Sequence, residues 1–239
     1  MRQRLKNLFW NNRSFKGKVG SLLFLSFFFY QLWILLHILL WTVVNPSESA
    51  FMETRLERLQ EKDENATLRH QWVNYNQISI HIKQAVIAAE DAKFIDHEGF
   101  DWEGIEKAYE KNKRRKKIVA GGSTISQQLA KNLFLSNQRT PWRKGEETII
   151  TLMLETVLSK QRILEIYLNV IEWGNNVYGI EAASLHYFSA HAKELNSFQS
   201  AKLASMIPNP KYYERHQDAS GLIERSGIIL SRMNAVQIP

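Results

Sequence analysis

No cysteine occurs in the 239 residues, which excludes disulfides and thiolate metal sites. The first 18 residues hold no acidic side chain, and Arg2, Arg4, Lys6, Arg13, Lys16 and Lys18 carry six of the seven net positive charges. A pI near 9.5 would ordinarily suggest nucleic acid, but the excess sits at one end and the rest of the chain is close to neutral. Runs of alternating apolar and polar residues are also missing, so no strand is predicted and the folded part reads as mainly α. With 44% hydrophobic and 11% aromatic residues, the chain can bury one substantial core.

An uncharged run thick with Leu, Phe and Ile extends from Val19 to Val44 and stops at Asn45-Pro46. As a helix it crosses a hydrocarbon core of about 30 Å. The run is too long for the apolar core of a cleaved signal peptide, so retention as an anchor is expected. Basic residues before it and Glu48 and Glu53 after it place the N-terminus in the cytoplasm and the remainder outside. Trp33 and Trp41 are candidate interfacial anchors, Trp41 the better placed. His37 has no ionisable companion in the span and is not read as a proton relay. The expected organisation is a basic tail (1–18), a membrane helix (19–44), a charged connector (45–75) with Met52, Leu56 and Leu59 at helical spacing, and a folded domain (76–239).

Within that domain, Glu90 and Asp91 follow the small apolar run AVIAA. Desolvation beside an apolar helix end raises a carboxyl pKa, as a general acid or base requires, although a surface pair with Lys93 is the simpler reading. The run KNKRRKK from Lys111 to Lys117 is either a mobile loop or a contact for anionic lipid or lipid-borne diphosphate. The stretch GGSTISQQLAKN from Gly121 combines a tight glycine turn with Thr124 and Gln127 spaced as a capping box. Ile125, Leu129 and Leu133 form its buried stripe, leaving amides and Lys131 on other faces of a helix whose start suits an anionic, sugar-like ligand. A capped surface helix would look the same in isolation. Further helices are expected from Thr140-Pro141, from Ser159, after Gly179, over SFQSAKLASMI up to Pro208-Asn209-Pro210, and from Ser220 to Val236. Arg143 and Glu147, four apart, would on their own be a helix-surface salt bridge.

Five stretches share an order and spacing: Glu90-Asp91-x-x-Phe94-x-x-His97-x-Gly99, GGSTISQQLAKN, Arg143-Lys144-x-x-Glu147, Lys160-x-x-Ile163-Leu164-Glu165-x-Tyr167-Leu168-Asn169, and Gly179-Ile180-Glu181-Ala182-Ala183 with Tyr187-Phe188. Together they resemble the peptidoglycan glycosyltransferase family, which includes the first domain of bifunctional penicillin-binding proteins and the monofunctional transglycosylases. Ile95 and Glu98 depart from residues common in that family without removing a catalytic group. No S-x-x-K or K-T-G triplet is present, so a monofunctional chain without a transpeptidase half is expected.

The resemblance implies a lysozyme-like two-lobed helical domain that joins lipid II disaccharides into β-1,4 glycan and releases undecaprenyl diphosphate. It implies Glu90 as the base for the acceptor hydroxyl and Glu147 as the second carboxylate, which aids the departing diphosphate through a divalent cation (Mg or Mn) or through neighbouring basic side chains. Phe94, Ser123, Gln127, Gln128, Lys131, Arg139 and Arg143 are implied as substrate-binding residues. Lipid II, the growing glycan strand, the membrane and other cell-wall synthesis or division proteins are the implied partners, and the Ile171–Gly174 stretch favours a bacterial inner membrane with the domain in the periplasm. No nucleic acid or organic cofactor is expected. A lysozyme-like hydrolase and a non-enzymatic cell-wall scaffold are the competing readings.

Overall fold

The computed structural model describes residues 15–117, 121–136, 138 and 140–239. In chain order the helices are α1 (Phe15–Leu40) and α2 (Ala50–Gln60), then, after strand β1 (Arg69–His70), α3 (Ile80–Glu90), α4 (Trp102–Arg115), α5 (Ile125–Phe134), α6 (Pro141–Val157) and α7 (Lys160–Val170). The hairpin β2 (Glu172–Gly174) and β3 (Val177–Tyr178) follows, then α8 (Ile180–Phe188), α9 (Ser197–Met206), α10 (Pro210–Arg215) and α11 (Ser220–Arg232). The mainly α class is borne out, and α1 is long and apolar enough to cross a membrane.

Helix α1 starts before the apolar run, because Lys16 and Lys18 are good helix formers whose charge does not unwind a helix. It ends at Leu40, where Thr42 Oγ1 donates to Leu39 O at 2.7 Å and the N–H groups of Val43 and Val44 turn back to Leu40 O. Ile34 and Ile38, one helical turn apart, are fully buried, and α1 packs on α6. Trp41 does not act as the expected interfacial anchor. It is 8% exposed, its ring centroid lies 5.1 Å from that of Phe134 on α5, and an aromatic contact inside the protein replaces the lipid interface. His37 Nδ1 bonds back to Trp33 O at 2.9 Å, a local role.

The segment expected as connector is fastened to the domain. Ser49 caps α2, Met52 is buried, Arg55 donates to Asn176 Oδ1 at 2.8 Å and Asn175 Oδ1 at 2.6 Å, and β1 runs parallel to β3. The three strands hold two or three residues each, too few for alternation to register in the sequence. Pro210 begins α10 at its first position, where a missing N–H costs nothing, so the expected stop at 208–210 is also a start.

Two groups of helices build the core. Helices α3, α9 and α11 pack together with the 3-10 turn Met233–Ala235, and α5 packs on α6 and α7. Ile82, Val86, Ile125, Leu129, Ile150 and Ile163 are fully buried, each contributing about 1.5–3 kcal/mol of burial free energy. The capping box of α5 forms as expected: Thr124 Oγ1 accepts from Gln127 N while Gln127 Oε1 accepts from Thr124 N at 3.1 Å. KNKRRKK is not a loop over its first five residues, which complete α4 and place Lys113, Arg114 and Arg115 where they oppose the negative end of the helix dipole.

Glycine works differently from the expected tight turn. Gly122 does not have a positive φ, and a Cβ there would meet Ile105 Cα at 3.1 Å, so its small size permits close approach to α4. Gly99 does need its freedom: φ is +88° and a Cβ would lie 2.8 Å from Thr151 Cγ2. Gly99→Ala is therefore expected to lower stability by about 1–3 kcal/mol, whereas Gly121→Ala, with nothing within 4 Å, changes it by less than about 0.5 kcal/mol. Thermal unfolding of the two variants side by side checks this; equal losses would contradict it.

Candidate active site

Helix α3 ends on two adjacent carboxylates that the fold sends to different tasks. Asp91 is buried, and its Oδ2 accepts from Ile125 N at 3.0 Å, the first N–H of α5. Its Oδ1 accepts from His97 Nε2 at 2.9 Å, and Gly99 N donates to His97 Nδ1 at 3.1 Å, an arrangement that puts the ring proton on Nε2. Lys160 Nζ donates to His97 O at 2.5 Å and to Glu155 Oε1 at 2.8 Å. Asp91 thus ties the end of α3 to the start of α5 and is not available for proton transfer. Lys93, the simpler partner considered for this pair, bonds Glu103 instead.

Glu90 faces a cleft of about 230 Å³ lined also by Asp101, Gly122, Ser123 and Thr124. Its side chain is 12% exposed, and burial raises its pKa, opposed by the Gln128 hydrogen bond and the nearby charges of Arg225 and Lys131; Asp91 adds to the rise. Gln128 Nε2 donates to Glu90 Oε2 at 2.8 Å, and Tyr167 Oη donates to Gln128 Oε1 at 2.9 Å. The phenol, fully buried and held protonated by burial, fixes which way the Gln128 amide points. Arg225 Nη2 donates to Glu90 Oε1 at 2.9 Å. The result is a partly desolvated carboxylate with both oxygens held and one edge open to a cleft, the arrangement a general base needs.

Glu147 lies on α6 in a different setting. It is 3% exposed, its Oε2 accepts from Arg143 Nη1 at 2.7 Å and its Oε1 from Lys144 Nζ. This is more than the surface pair expected from spacing, because the carboxylate is buried with two cations on it. Arg143 Nε finds no acceptor among the described residues. With both oxygens of Glu147 occupied and no group of three His, Asp or Glu side chains among the described residues, this donor set does not fit a divalent cation held by the protein.

The remaining sequence-predicted residues separate into those near the cleft and those behind it. Ser123 is exposed on the cleft wall, and Lys131 is close enough to act on Glu90 electrostatically. Phe94 is not placed to touch substrate: it is 0% exposed, with His97 at its edge and Lys160 Nζ 4.6 Å from its ring centre. Gln127 is buried in the cap of α5 and shapes the cleft through the helix start. Arg139 lies outside the described residues. Two residues of the hydrogen-bond network around Glu90 carried no expected role. Tyr167 stood in a motif stretch with no role assigned to it, and a buried phenol's need for a partner was the available signal. Arg225 lies 135 residues from Glu90, with no local pattern connecting them.

Residues 55–234 match the family described as transglycosylase. A protein of Methylobacillus flagellatus named biosynthetic peptidoglycan transglycosylase is 60% identical over 235 residues, which covers 98% of this chain and 100% of that protein. A protein of the same name from Chromobacterium violaceum is 60% identical over 93% of this chain and 97% of its own length. One from Dechloromonas aromatica is 59% identical over 89% and 92%. With its two carboxylates set at the end of α3 and inside α6, and with this breadth of match, the chain belongs to the transglycosylase family.

Proposed function

We infer that the chain is a peptidoglycan glycan-chain polymerase of cell-wall synthesis, acting on lipid II and the growing strand. The observation that carries this reading is Glu90, a desolvated carboxylate oriented by Gln128 and Arg225 at the mouth of a cleft that Ser123 and the start of α5 line. In the reaction the acceptor sugar hydroxyl gives its proton to Glu90 as its oxygen attacks the anomeric carbon of the donor. The bond from that carbon to the diphosphate breaks on the opposite face, so an α-linked donor yields a β linkage and polyprenyl diphosphate leaves with the electron pair. Lys131 and Arg143 are assigned to the diphosphate charge, which is the larger electrostatic demand of the step. Lys144 and Arg143 hold Glu147, and to these side chains, not to a protein-held cation, we assign the aid to departure.

A hydrolase acting on finished glycan has no diphosphate to meet, so the cation pair around Glu147 favours polymerisation. A scaffold would have no use for the Tyr167–Gln128–Glu90 chain. We place α1 across the bacterial inner membrane, with the basic tail in the cytoplasm and the domain in the periplasm, on the charge asymmetry of the sequence.

Glu90→Gln is expected to lower lipid II polymerisation about 100- to 10,000-fold with the fold intact, while Glu146→Gln, outside the Arg143–Glu147 pair, leaves it near the unaltered rate. Product sizing with labelled lipid II reads both, and a comparable loss in the two would remove Glu147 from the site. Because the base must be ionised and burial raises the Glu90 pKa, the rate falls on acidification from above the usual carboxylate range. Arg225→Gln removes a cation that favours the ionised form, so the acid limb of its pH–rate profile moves to higher pH; a shift downward would reverse the assignment. Lys144→Ala is expected to slow turnover about 10- to 100-fold, and added magnesium or manganese does not restore it. Restoration by either metal would give that role to a bound cation.

A further inference from the structure

Arg162 takes no part in the chemistry above, yet it is the most fully engaged cation at the junction between α1 and the domain. Its Nε donates to Trp41 O, and its Nη2 to Val44 O and Asn45 Oδ1, each at 2.8 Å. Its Nη1 donates to Glu165 Oε2 at 2.9 Å, and the other oxygen of Glu165 accepts from Tyr75 N at 3.1 Å. The guanidinium carbon lies 5.5 Å from the centre of the Trp72 ring, and the side chain is 15% exposed. Carbonyls leaving the end of a membrane helix ordinarily turn to water. Here they turn to one planar cation from α7, which also opposes the negative end of the helix dipole.

We propose that Arg162 is a positioning residue that locks the outer end of α1 to α7, and so fixes the height and tilt of the cleft above a bilayer that carries the donor. The lock has support on its other flanks, where the Trp41 ring lies against that of Phe134 of α5 and α1 packs along α6. The anchor therefore touches each of the helices that present Gln128 and Lys131, Arg143 and Glu147, and Tyr167. From Arg162 to Tyr167 is five residues, about 7.5 Å along the helix axis, and Tyr167 leads through Gln128 to Glu90. A passive tether would swivel at 41–46 and let the cleft wander relative to a diphosphate held at the membrane surface. A misplacement of about 1 Å can cost about a hundredfold in rate.

The proposal rests on the polymerase reading for its substrate, a polyprenyl diphosphate sugar, but not for its geometry. The full chain is reconstituted in lipid nanodiscs and given two donors, one with a long polyprenyl chain embedded in the bilayer and one with a short chain that stays in water. Arg162→Ala is expected to lower the rate on the embedded donor about tenfold or more and to leave the rate on the short-chain donor unchanged. Arg162→Lys, which keeps the charge facing Glu165 but lacks the fork that reaches both carbonyls, shows the same selective loss and carries the test if the alanine variant does not fold. Equal loss on both donors, or none on the embedded one, overturns the proposal. Independently of turnover, Phe198→Cys, on an exposed site of α9 in a chain without cysteine, accepts a single spin label. Its distance to labelled headgroups is expected to be narrowly distributed with Arg162 and broad in Arg162→Ala; identical distributions overturn the lock. Narrow distances in an unaltered chain that turns over neither donor would count against the polymerase reading and leave the lock standing.

Discussion

The carboxylate of Asp91 accepts the first N–H of α5 on one oxygen and the imidazole of His97 on the other. An unsatisfied N–H at a buried helix start is costly, and a negative charge placed there is favoured by the helix dipole. That bond holds the start of α5 against the end of α3 and creates the cleft between them. Glu90, the preceding residue, is left at its mouth. The supports of Asp91 reach outward in turn: His97 is set by Gly99, the Gly99 carbonyl accepts from Thr124, and Lys160 reaches the His97 carbonyl. Three helices and one loop thus depend on a single buried anion.

The two carboxylates assigned to the reaction sit in opposite electrostatic settings. Glu90 has one partly exposed cation at hydrogen-bond distance and a neutral amide, so desolvation dominates and its charged form is disfavoured. Glu147 has two cations in contact and almost no exposure. Burial thus works against the charge of Glu90, whereas the carboxylate of Glu147 is enclosed by an Arg143 and a Lys144 contact. The same residue type is placed in two environments because its neighbours differ.

Helix α1, long and apolar enough to cross a membrane, is integrated with this arrangement. Buried Ile34 and Ile38, the Trp41–Phe134 contact and the Arg162 hydrogen bonds bring α1 into the same core as the helices of the site. The segment between α1 and α3 adds a strand to the small sheet and seats Met52 in the interior. Helix α1, the segment after it and the helices around the cleft form one continuous body held by packing and hydrogen bonds.

Much of this was legible in the order of residues. The long apolar helix is displayed directly by the linear chain, as are the helix starts at Thr124, Thr140 and Ser159 and the capping box, which depend on neighbours three or four positions away. The motif spacings marked Glu90 and Glu147 as a pair of interest. What the chain could not display was contact between distant segments. That Asp91 is structural while Glu90 faces the cleft turns on where α5 begins to pack. That Phe94 and Gln127 lie behind the wall, that Arg225 reaches Glu90 and Tyr167 reaches its partner Gln128 from helices far along the chain, and that Trp41 turns inward all follow from packing. A side chain's surroundings are made by whichever elements converge on it, and no local period encodes that convergence.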